Sequence, residues 1–218
     1  MTFGALVQQA QARHLSVLGG FHPGPADSDL PKGCQTVLML GPDEPRFWPA
    51  FQQSAEWRDG MADPMDRWST RVIGAWADDL GATAVYPFGG PPFKPFYSWA
   101  LRTGRIHSSP VQLLVHDQAG LFVSFRGALA LSEHIDLPPP PPNPCTACTD
   151  RPCLSSCLGD ALTGQGYDVP RCKAFLDTPR GTENMQLGCN VRRSCPISQD
   201  FGRMPDQSAY HMRQFKGV

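Results

Sequence analysis

Apolar residues recur at two spacings along the first 140 positions, and each spacing predicts an element. The opening stretch "MTFGALVQQAQARHL" alternates apolar and polar residues as an amphipathic helix does. "CQTVLML" (34–40) is a short apolar run with β-branched content and a Gly-Pro stop after it, the pattern of a buried strand. In "DPMDRWSTRVIGAWADDLG" (63–81), Met65, Trp68, Val72, Ile73, Trp76 and Leu80 fall at helical spacing. Asp63 is its N-cap candidate, Pro64 suits the first turn and Gly81 stops the helix. The pair Asp78-Asp79 falls on the polar side of that helix and is expected to be solvated. "ATAVYPF" (82–88) reads as another strand. "VQLLVHDQAGLFVSFRGALAL" (111–131) reads as strand, short turn and strand, an antiparallel hairpin. Strands and helices in no strict alternation predict an α+β fold, a sheet layered with helices. There are no internal repeats.

The pattern breaks at Pro138–Pro142, Asn143 and Pro144. Such a run favours polyproline II and cannot join a helix interior or a sheet. At about 3.1 Å per residue it spans roughly 20 Å. The expected organisation is an N-terminal α+β domain over 1–137, a stiff linker over 138–144 and a cysteine-bearing module over 145–218. The alternative is a surface strap inside one domain. Composition adds little: 41% hydrophobic and 18% charged residues are those of a globular protein. No apolar run approaches the roughly 20 residues that span a bilayer, so no membrane association is expected. The N-terminus lacks the basic start and cleavage site of a signal peptide. A cytoplasmic location follows as the expectation, with thiols kept reduced. The net charge of −1 gives no general reason to bind nucleic acid. Residues 1–144 carry 10 basic and 13 acidic side chains (−3), residues 145–218 carry 9 and 7 (+2).

Seven of the eight cysteines follow position 144. Their pattern is Cys145-x2-Cys148-x4-Cys153-x3-Cys157, then Cys172, then Cys189-x5-Cys195-Pro196. A bacterial ferredoxin run is C-x2-C-x2-C-x3-C-P. Here two extra residues separate the second and third thiols, and Leu158 stands where proline is expected, while Cys195-Pro196 keeps that dipeptide. A [4Fe–4S] cube needs thiolates aimed at four corners. Tight loops supply three of them and a distant cysteine closes the fourth, with backbone amides pointing at the sulfurs. Zinc is the alternative, since C-x2-C is also a zinc knuckle, but the later thiols form no second close pair. Disulfides or inert thiols are the remaining reading.

"CTACTDRPCLSSCLGDAL", "RCKAFL" and "GCNVRRSCP" resemble the ferredoxin module of epoxyqueuosine reductases, over residues 145–196, about a quarter of the chain. The resemblance implies one cluster on Cys145, Cys148, Cys153 and Cys195, and a second on Cys157, Cys172 and Cys189. That family's last ligand falls at Arg192 or its neighbour, and a guanidinium has no lone pair to offer. The second site then holds a [3Fe–4S] cluster, a cube with a non-cysteine ligand, or nothing. Glu183, Met185 and the distant Cys34 are the candidate substitutes.

The N-terminal part resembles a short version of the flavin-reductase-like, nitroreductase-related domain shared by those enzymes and by CblC-type cobalamin-processing proteins. The segments are "GGFHPGPADSDLPKGCQTVLMLG", "ADPMDRWSTRVIGAWADDLG" and "VQLLVHDQAGLFVSFRGALAL". The resemblance implies a corrinoid, cobalamin, as ligand and sets Arg126 in a thiol-cofactor pocket beside it; read alone, Arg126 is a solvated strand end. "YPFGGPPFKPFYSWA" (86–100) offers Phe88 and Phe93 as flat surface and Gly89 and Gly90 for close backbone approach. The other reading is a surface loop packed by its own aromatics. His22 and His107 are candidate axial ligands or ordinary loop histidines. The longer middle region and acidic proton donor of epoxyqueuosine reductases have no counterpart, so tRNA is not expected as a substrate. The expectation is a ferredoxin-like iron–sulfur redox protein that delivers electrons to a bound corrinoid. The alternatives are a plain electron carrier docking a redox partner protein, and a zinc-stabilised interaction protein.

Overall fold

Two runs with no polar interruption, Thr36–Pro42 and Gly127–Leu131, are buried along their whole lengths, as expected of strands with both faces covered. They pair antiparallel, Thr36 opposite Leu131 and Leu40 opposite Gly127. The computed structural model describes residues 1–24 and 27–217, so Pro25 and Ala26 of the His-Pro stretch, with Val218, lie outside the described residues. The chain is α+β and divides into two compact units, Met1–Ile106 with Ser124–Pro141 and His107–Val123 with Pro142–Val218.

In the first unit the elements are α1 (Phe3–Ala12), β1 (Leu15–Phe21), β2 (Thr36–Pro42), α2 (Phe47–Gln52), α3 (Ala55–Arg58), α4 (Pro64–Leu80), β3 (Thr83–Val85) and α5 (Phe96–Arg102). Past β4 (Ile106–Ser108) and β5 (Leu114–His116) the chain returns with β6 (Gly127–Leu131). The sheet order is β1-β2-β6-β3, antiparallel throughout. β1 carries a bulge between Val17 and Gly19. Gly19 has φ +136°, and a β-carbon there would meet that of Thr103 at 2.8 Å, so only glycine admits the C-terminal end of α5 this close.

α4 starts with Pro64 at its first turn and stops at Gly81, which is left-handed with φ +60°. Asp63 is itself left-handed at φ +50°, and its side chain makes no cap hydrogen bond, unlike the expected N-cap. Met65, Trp68, Ile73 and Trp76 are buried, whereas Val72 and Leu80 are only partly covered. Asp78 and Asp79 are exposed. The Trp68 ring meets Phe47 edge-on at 5.2 Å, and Phe47 stacks on Phe51 at 5.7 Å. The Trp76 indole N–H donates to Gln9 Oε1 at 2.9 Å and so ties α4 to α1.

The hairpin expected over 111–131 does not form. Its first half turns back on itself at His116–Gly120 and belongs to the second unit. Its last run is β6, which takes β2 and β3 as partners. The reason is local: His116 and Gly120 exchange backbone hydrogen bonds at 3.0 and 2.9 Å, closing a turn too tight to align residues 111–116 with 127–131. The strand expected over 82–88 is confined to β3, since Pro87 cannot donate to a ladder.

The second unit continues with α6 (Pro144–Ala147), a 3₁₀ turn (Pro152–Leu154), the short pair β7 (Leu162–Thr163) and β8 (Gly166–Tyr167), and α7 (Val169–Leu176). A second 3₁₀ turn (Pro179–Gly181), α8 (Thr182–Leu187), α9 (Asn190–Ser194), α10 (Pro196–Gln199) and α11 (Pro205–Lys216) complete it. Among the described residues no helix is long and apolar enough to cross a membrane.

Trp76 is fully buried and also holds a hydrogen bond. Trp76→Ala should therefore weaken the first unit by about 3–5 kcal/mol, read as an earlier transition in urea, while Trp76→Phe loses less.

Candidate metal centre

Each thiol of the first quartet is aimed by a short, stiff local structure. Asn143 accepts the Cys145 N–H on its side-chain oxygen at 2.9 Å and caps α6, with Pro144 at the first turn. Cys148 ends that turn in an extended conformation. The two residues that exceed ferredoxin spacing are taken up by a reversal at Arg151, left-handed at φ +41°, which delivers Cys153 into the 3₁₀ turn. Cys195 is the extended residue between α9 and α10, and Pro196 fixes the turn after it.

These four cysteines line one cavity of about 410 Å³, with Val115, Leu121 and Ile197 among its apolar walls. Cys153 sits in the apolar core of the second unit with Val111, Val115, Leu121, Leu162 and Val191, against which Cys145, Cys157, Cys189 and Cys195 pack. Burial pushes the Cys145 thiol up, and the neighbouring Cys195, Cys153 and Cys148 push it further. Cys153 is raised first by burial and then by Cys195 and Cys148. All eight cysteines are free. Among the described residues no three Cys, His, Asp or Glu side chains are gathered tightly enough to hold a single metal ion.

The remaining thiols make a second group. The Cys157 sulfur accepts the backbone N–H groups of Ala161 and Leu162, both at 3.3 Å. Cys172 lies in α7, whose N-cap Asp168 accepts the Arg171 N–H at 2.9 Å. Burial raises Cys172, with Cys189 and Cys157 adding to the rise, while a hydrogen bond from the Tyr167 hydroxyl opposes it. The Tyr167 phenol is itself pushed well above its ordinary range, by burial first and then by that bond. Arg192 donates to the Leu121 carbonyl and so serves as a clamp on the chain. Of the candidate substitutes, Glu183 is engaged by Arg193 at 2.7 Å, and Cys34 belongs to the first unit, where burial raises it.

The donor sets suit an iron–sulfur group. They offer thiols alone, reduced and partly buried, with apolar walls and backbone amides at one sulfur, the features that hold and tune such clusters.

His116, Gly120 and Ser198 brace the quartet's wall and were not singled out in the sequence. His116 is buried, its Nδ1 accepts the N–H groups of Gln118 and Ala119 at 3.1 Å each, and its Nε2 faces Asp117 at 3.1 Å. The turn so formed presents the Leu121 N–H to Ser198 Oγ at 2.8 Å, three residues after Cys195. The only sequence signal was the polar interruption "HDQAG".

In the first unit Phe88, Gly89 and Gly90 line a groove of about 490 Å³ together with Asp29, Tyr86 and Lys94. Phe88 and Gly89 also border a groove of about 500 Å³ beside Asp66 and Arg67. Phe93 is 65% exposed and its ring lies against Gly90. Arg126 faces Asp66 at 3.7 Å, and burial pushes the Asp66 carboxyl up despite that partner. His22 Nε2 donates to the Ile135 carbonyl at 3.0 Å and the ring stacks on His134 at 4.0 Å, so this nitrogen is already occupied. His107 Nε2 is buried without a hydrogen-bond partner.

No family model, curated protein or solved structure matches this chain.

Gly120 has φ +55°, and a β-carbon there would meet the Ser198 backbone nitrogen and hydroxyl at 2.5 Å. Gly120→Ala should cost about 1–3 kcal/mol through overpacking and open the wall beside Cys195. Thermal unfolding and faster reaction of Cys195 with a thiol reagent would report it, and unchanged labelling would contradict the bracing role.

Proposed function

We propose that the chain is an iron–sulfur redox protein that transfers electrons through clusters held by its second unit. The observation that carries this reading is the placing of Cys145, Cys148, Cys153 and Cys195 around one apolar-walled cavity of about 410 Å³. Zinc draws four donors onto a single ion at about 2.3 Å from each sulfur; a cluster instead takes one thiolate at each iron corner. Thiols arranged around a cavity favour the cluster. A bound [4Fe–4S] group would supply one-electron transfer. What the chain contributes is the aiming of four sulfurs by α6, the 3₁₀ turn and the α9–α10 junction, and the apolar wall that limits water. The trio Cys157, Cys172 and Cys189 is read as a second iron–sulfur site, ferredoxin-like in its ligand crossing.

A second reading concerns the first unit, as a flavin-reductase-like domain that receives the electrons on a corrinoid. It is supported by the groove beside Phe88, Gly89 and Gly90, whose volume lies within the range of small-molecule sites. Glycine leaves room for close approach of a flat ligand there. Phe93 would add apolar surface at its rim, and Arg126 would act through Asp66.

The clusters are tested on the full chain purified anaerobically, by iron, sulfide and zinc analysis and by EPR before and after dithionite. Cys145→Ser, Cys148→Ser, Cys153→Ser and Cys195→Ser should each remove the same signal, while Cys157→Ser, Cys172→Ser and Cys189→Ser remove the other. Zinc without iron would sink the redox reading and leave a structural clasp. For the first unit, adding cobalamin at tens of micromolar should shift its visible bands, and Gly90→Phe should abolish the shift. An unshifted spectrum would leave an electron carrier that docks a protein partner.

A further inference from the structure

Val72 falls at the apolar spacing of α4 and is nevertheless only partly covered. It lines a further groove of the first unit, of about 480 Å³. One stripe of α4 forms part of that groove: Trp68, Arg71, Val72 and Ala75, at i, i+3, i+4 and i+7. Arg13 and His14, from the junction of α1 and β1, line it as well.

His14 is the residue after the C-cap of α1, where glycine or asparagine usually makes the left-handed turn. Here a histidine makes it, at φ +59°. The turn is held from both sides: the His14 N–H donates to the Gln11 carbonyl at 3.1 Å, and the His14 carbonyl accepts the Asp43 N–H at 3.2 Å. The ring is half-buried, and among the described residues its Nδ1 is covered without a hydrogen-bond partner. A left-handed residue with a side chain and an unmet ring nitrogen both work against folding. Strain of this kind collects where a ligand is held.

The two arginines are fixed by the protein itself. Arg13 donates to the Gln9 carbonyl and to Asp79, each at 3.1 Å, with its guanidinium 5.3 Å from the centre of the Trp76 ring. Glu56 accepts from Nε and Nη2 of Arg71, at 2.5 and 3.0 Å, and among the described residues nothing accepts from Nη1. The Arg71 hydrogen bond holds the Glu56 carboxyl below its ordinary range, so Glu56 is ionised at neutral pH. Each guanidinium is therefore already balanced by one carboxylate. The groove offers N–H donors without a surplus of positive charge, which suits a monoanion and disfavours a phosphate dianion beside Glu56 and Asp79. Trp68, Val72 and Ala75 supply apolar wall for the rest of a ligand.

We propose that this groove binds a small carboxylate with an apolar body, an aromatic or branched-chain acid. Its carboxylate lies between Arg71 and the Arg13–His14 junction and accepts from Arg71 Nη1, and its body rests on the apolar stripe of α4. Every residue invoked belongs to the first unit, so the inference depends neither on the thiol groups nor on a corrinoid.

Isothermal titration calorimetry of the anaerobically purified full chain with benzoate tests it. Benzoate should bind with a Kd below about 1 mM, within reach of a ligand of its size. Benzamide, its neutral isostere, should bind about tenfold more weakly, and phenyl phosphate no more tightly than benzoate. Ala75 is exposed, so Ala75→Trp should fill the groove, leave the core alone and abolish the heat. Arg71→Lys keeps a charge beside Glu56 but loses the planar fork, and should raise the benzoate Kd about tenfold. His14→Asn keeps a residue that tolerates the left-handed turn and should weaken benzoate as well. The urea midpoint of each variant, read alongside, separates lost binding from lost fold. Absence of heat with benzoate, equal affinity for benzamide, tighter binding of phenyl phosphate, or unchanged binding in folded Ala75→Trp would each overturn the proposal.

Discussion

A thiolate is costly to bury, and the second unit buries thiols next to one another. Burial raises Cys145, Cys153 and Cys172, and in each case a neighbouring thiol raises it further. Sulfurs so placed stay protonated and unreactive unless a cation takes up their charge. Disulfide formation would relieve the same tension, but all eight cysteines are free. The unit is thus built so that its apolar core and its donor sets are the same object: Cys153 is a core residue among Val111, Val115 and Leu121, and four other cysteines pack against that core.

The rest of the unit follows from holding those sulfurs still. Its helices are mostly short, and several carry proline in the first turn, which orders the backbone beside a cysteine at little entropic cost. Caps from Asn143 and Asp168 fix the entry of α6 and α7. Asn190 donates to the Ser156 carbonyl at 3.1 Å and so joins the loop before Cys157 to the helix after Cys189. Arg192, where the resemblance to a ferredoxin module sets a further ligand, reaches the Leu121 carbonyl, and Leu121 is a wall of the first group. On the proposed reading the two groups are joined through this residue, and they differ because one has four thiols and the other three.

In the first unit the governing term is apolar burial on both faces of β2 and β6. This explains which local readings held. The α4 pattern was legible because burial by Trp68, Ile73 and Trp76 follows helical periodicity and Gly81 supplies the stop. β2 was legible, displaced by two residues, because the apolar run Val37–Leu40 with its Gly-Pro stop needs no partner to be recognised. β1 was not, since "LSVLGGF" carries two glycines that weaken a strand pattern and acquire meaning only from the bulge and the approach of Thr103. The hairpin over 111–131 failed because His116 and Gly120 close a turn of their own, which the apolar pattern does not show, and residues 127–131 pair with β2 and β3 instead.

The sequence alone determined the inventory of donors. Cysteine spacing, the Cys-Pro dipeptide and the proline run are covalent facts, and the sorting of seven thiols into a quartet and a trio came only from the resemblance to a ferredoxin module. Tertiary structure decided what surrounds them. Arg151 turns left-handed to absorb two extra residues, and the His116 turn braces the cavity wall from more than seventy residues upstream of Cys195. Neither the reversal at Arg151 nor the turn's contact with Ser198 has a periodicity to read. Each is set by how distant segments pack, and that depends on the burial of the whole core.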